Sequence, residues 1–291
     1  MRLGFHISIA GGLAKVVPRA LRRGCTTLQL FSSSPVQWER PPLDAEECQQ
    51  FLQQLAAYNI QPHFVHASYL LNVASPNQEL WQRSISHLGD ELQRAELLNA
   101  AGVVLHLGSV GDEGAIEPGI ERIAHALDAV RLQAENDIPL ILENSAGAGN
   151  TLGTSLAEIA QIMAASEYSD HLQFCLDTAH AFAAGWPVHQ REGLDQVLAE
   201  LDNTLGPKRL VLIHANDSRS GWNSRVDRHW HIGRGKIGRE GFRIIVNHPR
   251  LCKMPFIMET PGTEEDDVRN MRAIRQLVEQ DIHPPLGPLA N

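Results

Sequence analysis

Several features are scarce in this sequence, and each absence excludes a class of protein. The four cysteines form no C-x-x-C pair, which argues against a disulfide framework and a cysteine zinc site. No apolar run reaches the ~18 to 20 residues that span a membrane. The residues after Met1 lack the basic and apolar regions of a signal peptide. We therefore expect a cytoplasmic protein with reduced thiols and no membrane partner.

An overall excess of positive charge is also missing. The formal net charge is −9 over 291 residues, and an evenly spread negative field would repel the phosphates of a nucleic acid. The charge is unevenly distributed, however, because six basic residues between Ser218 and Arg239 accompany Asp227 alone, so phosphate binding can be local. These basic residues are Arg219, Arg225, Arg228, Arg234, Lys236 and Arg239.

Short runs rich in β-branched and apolar residues alternate with segments of helical periodicity. This alternation predicts a parallel sheet with right-handed crossovers, and eight such units favour closure into a (β/α)8 TIM barrel over an open doubly wound sheet. We predict one barrel domain over 1–280 and an irregular, proline-containing tail over 281–291. The eight runs cover 3–8, 26–31, 62–68, 102–108, 139–145, 172–180, 209–217 and 255–260.

Polar side chains end or closely follow six of these runs. In a barrel the carboxyl ends of the strands converge on one face, where active sites of this architecture lie. A lone histidine or carboxylate there is readily satisfied by neighbouring backbone, but several carboxylates packed into one site repel one another without a cation. The six residues are His66, His106, Glu143, Asp177, His214 and Glu259.

Three further residues extend this set: His180, three positions after Asp177, and the closely spaced Asp227 and His229. Nitrogen and oxygen ligands without sulfur fit zinc or manganese, with iron as a further candidate. Nine ligands are too many for one ion and suit two or three, an arrangement that can clamp both reacting oxygens of a phosphodiester. His6, in the first strand, is a candidate to support the ligands from behind.

The other histidines receive a plainer interpretation. The sequence has 14 histidines, and those in helical or loop segments are expected at the surface. This group comprises His87, His125, His171, His189, His248 and His283.

The segment "GRGKIG" (233–238) has the glycine spacing of a dinucleotide-binding turn. That fingerprint should follow a strand and open a helix, with an acidic residue ~20 positions later. Here the segment follows a ligand-bearing loop instead. We interpret its glycines as allowing a tight loop to approach a DNA backbone.

Seven stretches along nearly the whole chain resemble the endonuclease IV (deoxyribonuclease IV) family of apurinic/apyrimidinic endonucleases. "LDTAHAFAAG" and "SRVDRH", followed by "IGRGKIG", are the most specific parts of this resemblance. The stretches are "GFHISIAGGL", "HASYLLN", "LHLGS", "LENSAGAGNTLG", "CLDTAHAFAAG", "HANDSRSGWNSRVDRHWHIGRGKIG" and "IMETPG".

The resemblance implies a TIM barrel with three zinc ions, for which Mn2+ or Fe2+ are possible substitutes. Its implied activity is hydrolysis of the phosphodiester 5′ to an abasic site in duplex DNA, which leaves a 3′-hydroxyl, together with removal of 3′-blocking groups. Glu259 and Glu143 would be catalytic, with Glu259 orienting the attacking hydroxide and Glu143 bridging the first two ions. The implied ligand sets are His66, His106 and Glu143; then Glu143, Asp177, His214 and Glu259; then His180, Asp227 and His229.

The same resemblance implies contacts with the damaged DNA. Tyr69 and Leu70 match positions that enter the gap left by the lost base, and apolar or aromatic wedges suit such unstacking. Where many members carry an arginine in the loop after the second strand, this sequence has Val36. Valine can fill space but cannot donate a hydrogen bond, so it would fill the gap less specifically. Arg225, Arg228 and Lys236 are the expected phosphate contacts of a monomeric protein.

Two other interpretations remain open at this point. Xylose-isomerase-like sugar isomerases and epimerases also place Glu, Asp, His and Glu around a divalent ion, but that set leaves His66, His106, His180, Asp227 and His229 without a role. A DNA-binding barrel without catalysis is disfavoured because no ligand position is missing.

Overall fold

Eight parallel strands form a closed barrel in this computed structural model, which describes residues 1–112 and 114–279. Neighbouring barrel strands pair in chain order, and the last pairs with the first. The described strands are β1 (Arg2–Ile7), β2 (Thr27–Phe31), β3 (His63–His66), β4 (Val103–His106), β5 (Leu140–Glu143), β6 (Leu172–Asp177), β7 (Leu210–His214), β8 (Asp217–Ser218), β9 (His229–Trp230) and β10 (Pro255–Met258). β8 and β9 form a separate antiparallel pair. The closed barrel of eight parallel strands confirms the TIM-barrel prediction.

Helices surround the barrel, and several begin at a side-chain cap that the sequence provides. Asp44, Asn77 and Ser155 each accept a hydrogen bond from the backbone N–H three residues later, which satisfies a free donor of the first turn. The described helices are α1 (Val16–Arg22), α2 (Ala45–Ala57), α3 (Gln78–Leu97), α4 (Ile116–Ala134), α5 (Leu156–Ala165), α6 (Thr178–Ala184), α7 (Arg191–Thr204), α8 (Gly238–Val246) and α9 (Glu264–Arg275). No described helix is long and apolar enough to cross a membrane.

Two apolar clusters hold the fold together. The larger joins the helices to the outer faces of the strands, and the smaller contains one buried residue from each of six strands. Because side chains alternate between the two faces of a strand, the residue two positions further along returns to the same face. The members of the smaller cluster are Phe64, Val104, Ile141, Cys175, Leu212 and Ile257.

The expectation that six histidines lie at the surface is wrong for two of them. His87 is 4% exposed and packs edge-on against Trp38 at 5.4 Å between ring centroids. His248 is 9% exposed and bonds Asp195 at 2.9 Å. A helical or loop position alone does not decide exposure, because these two side chains pack against Trp38 and Asp195 from other segments of the chain. His283 and the predicted tail over 281–291 lie outside the described residues, so the domain boundary stays a prediction.

A substitution at Gly4 tests the close packing of strands β1 and β2. It pairs in register with Thr27, and a Cβ on Gly4 would overlap the backbone carbonyl of that residue. We expect Gly4→Ala to force the strands apart and to lower the free energy of unfolding by ~1–3 kcal/mol, measured by urea denaturation. Gly221→Ala is the control, since nothing lies within 4 Å of the added carbon. Equal stabilities of the two variants would contradict the close approach.

Candidate metal centre

Strand alternation creates the site. Each member of the smaller apolar cluster is followed two residues later by a histidine or carboxylate, so all six polar residues face the barrel axis above an apolar floor. The strand register brings them level: His106 pairs with Glu143, and Asp177 pairs with His214. The six predicted strand-end residues therefore converge at the carboxyl end of the barrel.

Glu143 lies at the centre of this convergence. Its Oε2 is 3.4 Å from Nε2 of His66 and 3.8 Å from Nε2 of His106. Its Oε1 is 3.2 Å from Nδ1 of His180 and 3.2 Å from Nδ1 of His214. One carboxylate thus presents its two oxygens to different groups of histidines, which is the geometry that a bridging ligand requires.

The second group contains three carboxylates around one histidine. Nδ1 of His214 is 3.3 Å from Oε2 of Glu259 and 4.0 Å from Oδ2 of Asp177. Potential ligand atoms of Glu143, Asp177, His214 and Glu259 all lie within 4.8 Å of one another, and so do those of His66, His106 and Glu143. These two groups have the membership that the resemblance implies.

The third group differs in detail from the expected set. Asp177, His180 and His229 have ligand atoms within 4.8 Å of one another. Asp227 lies beside them, with its oxygens 3.3 Å from Nε2 of His180 and 3.5 Å from Nε2 of His229. Its side chain is 52% exposed, so it closes the group from the solvent side. The hairpin of β8 and β9 delivers Asp227 and His229 from outside the barrel.

Burial makes the charges in this cluster interdependent. Although burial alone raises the pKa of the Glu143 carboxyl, His214 and His106 hold that pKa well below its usual value. Burial likewise opposes the charged form of His214, but the nearby Cys175 thiol and the Glu259 and Glu143 carboxylates raise its pKa well above the usual value. Glu143 therefore stays ionised in a place that water scarcely reaches, where it needs compensating positive charge.

Two buried ligand atoms, Oε1 of Glu143 and Nδ1 of His214, lie 3.2 Å apart but are not aligned for a hydrogen bond with each other or with any other described residue. Buried polar atoms are normally satisfied, and a cation between nitrogen and oxygen ligands would satisfy both. The residues present therefore fit divalent metal ions.

Side-chain amides fix the ligands, and the sequence interpretation missed them. Asn216 donates to Asp177 at 2.6 Å and to Glu259 at 3.3 Å, and its oxygen accepts from the Glu259 backbone at 2.7 Å. Gln29 donates to Oε1 of Glu259 at 2.8 Å and accepts from Nε2 of His214 at 2.9 Å. These contacts orient the ligands Asp177, His214 and Glu259, as supporting partners of metal ligands usually do. The sequence does carry a signal for Gln29, because it is a polar residue between two leucines in strand β2.

His6 takes the supporting position that the sequence suggested. Its Nδ1 lies 3.5 Å from Oε1 of Glu259 and 3.0 Å from the Gln29 amide. Burial lowers the pKa of His6, so this histidine favours its neutral form. It borders Glu259, the member of the second ligand group that is also the catalytic candidate.

The glycine-rich segment proves to have an internal partner. The buried Asp217 carboxylate accepts hydrogen bonds from the backbone N–H groups of Gly235, Ile237 and Gly238 at 2.9, 3.1 and 3.3 Å. A Cβ on Gly235 would overlap Asp217, which explains that glycine. The segment does open helix α8, and the N–H groups of 234–238 all have partners within the protein. An anchoring role thus accounts for Gly235, the approach of this segment to a DNA backbone stays a prediction, and the Lys236 side chain is exposed.

The predicted DNA contacts surround the centre. Val36 and Tyr69 are 64% and 58% exposed, Leu70 is half-buried, and Arg225 and Arg228 are exposed. The Tyr69 ring packs edge-on against Phe31 at 5.4 Å between centroids, which fixes its position. A cavity of about 390 Å³ has Tyr69 and Leu70 on one side and His106, His180 and Asp227 on the other. Two of the predicted wedge residues thus line a space that opens onto the ligand cluster.

A substitution at Asp217 tests how the glycine-rich segment (233–238) is held. Asp217→Asn replaces one acceptor oxygen by a donor that faces other donors, and a hydrogen bond to a charged group contributes ~1.5–3 kcal/mol. We expect faster hydrogen exchange at the amides of 235–238 and a lower melting temperature. Asp170→Asn, at a side chain that is 99% exposed, is the control. Unchanged exchange in the Asp217 variant would show that the carboxylate does not anchor the segment.

Comparison with known proteins agrees with this geometry. A family model described as a xylose isomerase-like TIM barrel matches residues 17–279. "Probable endonuclease 4" of Halothermothrix orenii is 40% identical over 278 residues, covering 95% of this chain and all of that protein. "Probable endonuclease 4" of Methanoculleus marisnigri is 39% identical over 277 residues, covering 94% and 98%.

Solved structures give the same result. The crystal structure of endonuclease IV from Thermus thermophilus matches with a TM-score of 0.83 at 40% identity, covering 95% of this chain and 98% of that one. A D-tagatose 3-epimerase-like protein matches with a TM-score of 0.73 at 18% identity and the same 95% coverage of this chain, with 97% of its own, which shows the shared fold alone. The chain belongs to the endonuclease IV family within the xylose isomerase-like TIM barrels.

Proposed function

We propose that this protein is a metal-dependent DNA-repair endonuclease that hydrolyses the phosphodiester 5′ to an abasic site in duplex DNA and also cleans blocked 3′ ends. The observation that carries the proposal is the nine-residue cluster of histidines and carboxylates at the carboxyl end of the barrel. In a family of endonucleases, a centre of this kind is suited to phosphodiester hydrolysis. The product of the proposed reaction carries a 3′-hydroxyl.

Three zinc ions are the proposed cofactors, with Mn2+ or Fe2+ as substitutes. Glu143 would bridge the first two, and Asp227 and His229 would complete the third with His180. When bound, the ions supply positive charge that stabilises the phosphate in the transition state. The unsatisfied Oε1 of Glu143 and Nδ1 of His214 support this assignment.

Glu259 is the proposed catalytic carboxylate. Its side chain is 18% exposed, whereas Glu143 and Asp177 are fully buried, so Glu259 is the member of its group that faces incoming substrate. Gln29 and Asn216 each hold one of its oxygens. A carboxylate fixed in this way can orient a water molecule and accept its proton as the phosphate is attacked.

Damage recognition is proposed to use the exposed residues around the centre. Tyr69 and Leu70 would enter the gap in the base stack, because their cavity adjoins the ligands that must receive the phosphate. Val36 would fill space from the neighbouring loop without a hydrogen bond to a base. Arg225, Arg228 and Lys236 would bind phosphates and make affinity depend on salt concentration.

A sugar epimerase accounts for fewer of the observations. The epimerase-like structure shares only the fold at 18% identity. A single ion held by Glu143, Asp177, His214 and Glu259 would leave the His66 and His180 groups unexplained. A barrel that binds DNA without cleaving it is equally disfavoured, since Glu259 is present and is held by both Gln29 and Asn216.

We also propose that the protein acts as a monomer in the cytoplasm.

The function is tested with duplex DNA that carries one abasic analogue. We expect a single cut 5′ to the lesion, and a polymerase should extend the new end because it carries a 3′-hydroxyl. Prior chelation should abolish the cut, and added Zn2+ should restore it. An intact abasic duplex after incubation with metal-loaded protein, or a cut that survives full metal removal, would contradict the proposal.

Glu259→Gln gives the sharpest single-residue test. The amide keeps the size of the side chain but cannot accept a proton or supply an anionic ligand. Even supporting partners of metal ligands contribute ~10- to 100-fold to activity, so we expect a loss of at least 100-fold in the cleavage rate. Glu240→Gln, at a side chain that is 75% exposed, should cleave normally. Near-normal turnover by the Glu259 variant would remove this carboxylate from the catalytic centre.

A further inference from the structure

The loop between β8 and β9 displays an aromatic side chain to solvent. Trp222 is 55% exposed, and Val226 in the same loop is 44% exposed. Among the described residues, no hydrogen bond or ring contact involves the Trp222 indole. The exposed indole therefore offers a flat aromatic face that a stacking partner can cover.

The loop that carries Trp222 is held rigidly by its backbone. The Asn223 N–H donates to the Phe182 carbonyl at 3.1 Å, and the Arg225 N–H donates to the Ala183 carbonyl at 2.9 Å. Asn223 and Arg225 both adopt left-handed backbone angles, with φ of 56° and 57°. Two anchors to helix α6 thus follow the residue closely, and they fix the backbone from which the indole projects, so little backbone freedom remains to be lost on binding.

Trp222 lies within reach of the proposed cleavage centre. It is five residues before Asp227, which contacts His180 at 3.3 Å. A fully extended chain spans at most ~3.6 Å per residue, so the two residues are no more than ~18 Å apart. Base pairs are spaced ~3.4 Å apart along a duplex, so this distance covers about five of them. This upper limit places the Trp222 backbone within about five base-pair spacings of a ligand of the proposed cleavage centre.

The chemistry around Trp222 suits a nucleic acid. Arg219, Arg225 and Arg228 lie in the same loop, and the Arg219 guanidinium packs over the Trp230 ring at 4.7 Å. Aromatic faces beside cationic groups are the usual platform for stacked bases and their phosphates. An abasic site leaves the neighbouring bases without one stacking partner, so an aromatic ring can bind a base face that intact duplex does not offer.

We propose that Trp222 is a stacking residue that covers a nucleobase left exposed at the lesion, and that it contributes to the preference for damaged over intact duplex. It acts from the β8–β9 loop, whereas Tyr69 and Leu70 approach from the β3–α3 loop. This inference rests on the proposed abasic-site activity. It adds a contact to DNA that the metal centre and the predicted wedge do not include.

The test measures the affinity for DNA and the fluorescence of a base analogue in the same duplexes. Duplexes carry an abasic analogue and 2-aminopurine at each position next to or opposite the lesion, and the emission of 2-aminopurine falls when it stacks. We expect wild-type protein to quench at least one position, and Trp222→Ala to abolish that quenching. Loss of the stacking of one base on an aromatic side chain should weaken the affinity of Trp222→Ala for damaged duplex by roughly 5- to 140-fold. Affinity for intact duplex should change by less than the affinity for damaged duplex.

Matched variants separate stacking from a general loss of apolar surface. Trp222→Phe keeps a ring and should retain both quenching and most of the affinity. Val226→Ala removes exposed apolar surface from the same loop without an aromatic face and should behave as wild type. Melting temperatures confirm that each variant is folded. If the wild type cleaves abasic duplex and Trp222→Ala keeps the affinity and the quenching of the wild type, this inference is overturned and the proposed function is not. Wild-type protein that neither binds nor cuts abasic duplex would overturn it together with the proposed function.

Discussion

The mutual repulsion of buried carboxylates is the constraint on which the rest of the structure depends. Glu143 and Asp177 are fully buried beside Glu259, and histidines alone offset their charge only by being protonated. Divalent ions would remove this conflict, because Glu143 and His214 would hold them through their unsatisfied atoms and the ions would supply positive charge. The barrel, the supporting amides and the hairpin above them all serve to hold these groups close together.

Support for the ligands comes from neighbouring strands and loops rather than from the strands that carry them. Gln29 of β2 reaches Glu259 beyond β10, and Asn216 after β7 links Asp177 to Glu259. In the same way Asp217 ties the glycine-rich segment to the β8–β9 hairpin. The loop that brings Asp227 and His229 is therefore anchored on both sides, which lets residues from outside the barrel take up fixed positions.

Much of the fold and the ligand set could be predicted because both depend on local patterns. Each barrel strand lies within or closely overlaps its apolar run, and the polar residue that ends a run follows an inward-facing apolar residue by two positions, as His66 follows Phe64. The partners of Gln29, Asn216 and Asp217 could not be predicted, because they depend on distances between segments far apart in sequence. The burial of His87 escaped prediction for the same reason, since its neighbour Trp38 belongs to another loop.

Elemental analysis of freshly purified, unchelated protein tests the central claim that this cluster is a multi-metal centre. Three groups of ligands converge here, and Glu143 belongs to two of them. The account predicts more than one divalent ion per chain in the wild type and a marked loss in Glu143→Gln. One ion or fewer in the wild type, with no further loss in the variant, would contradict it.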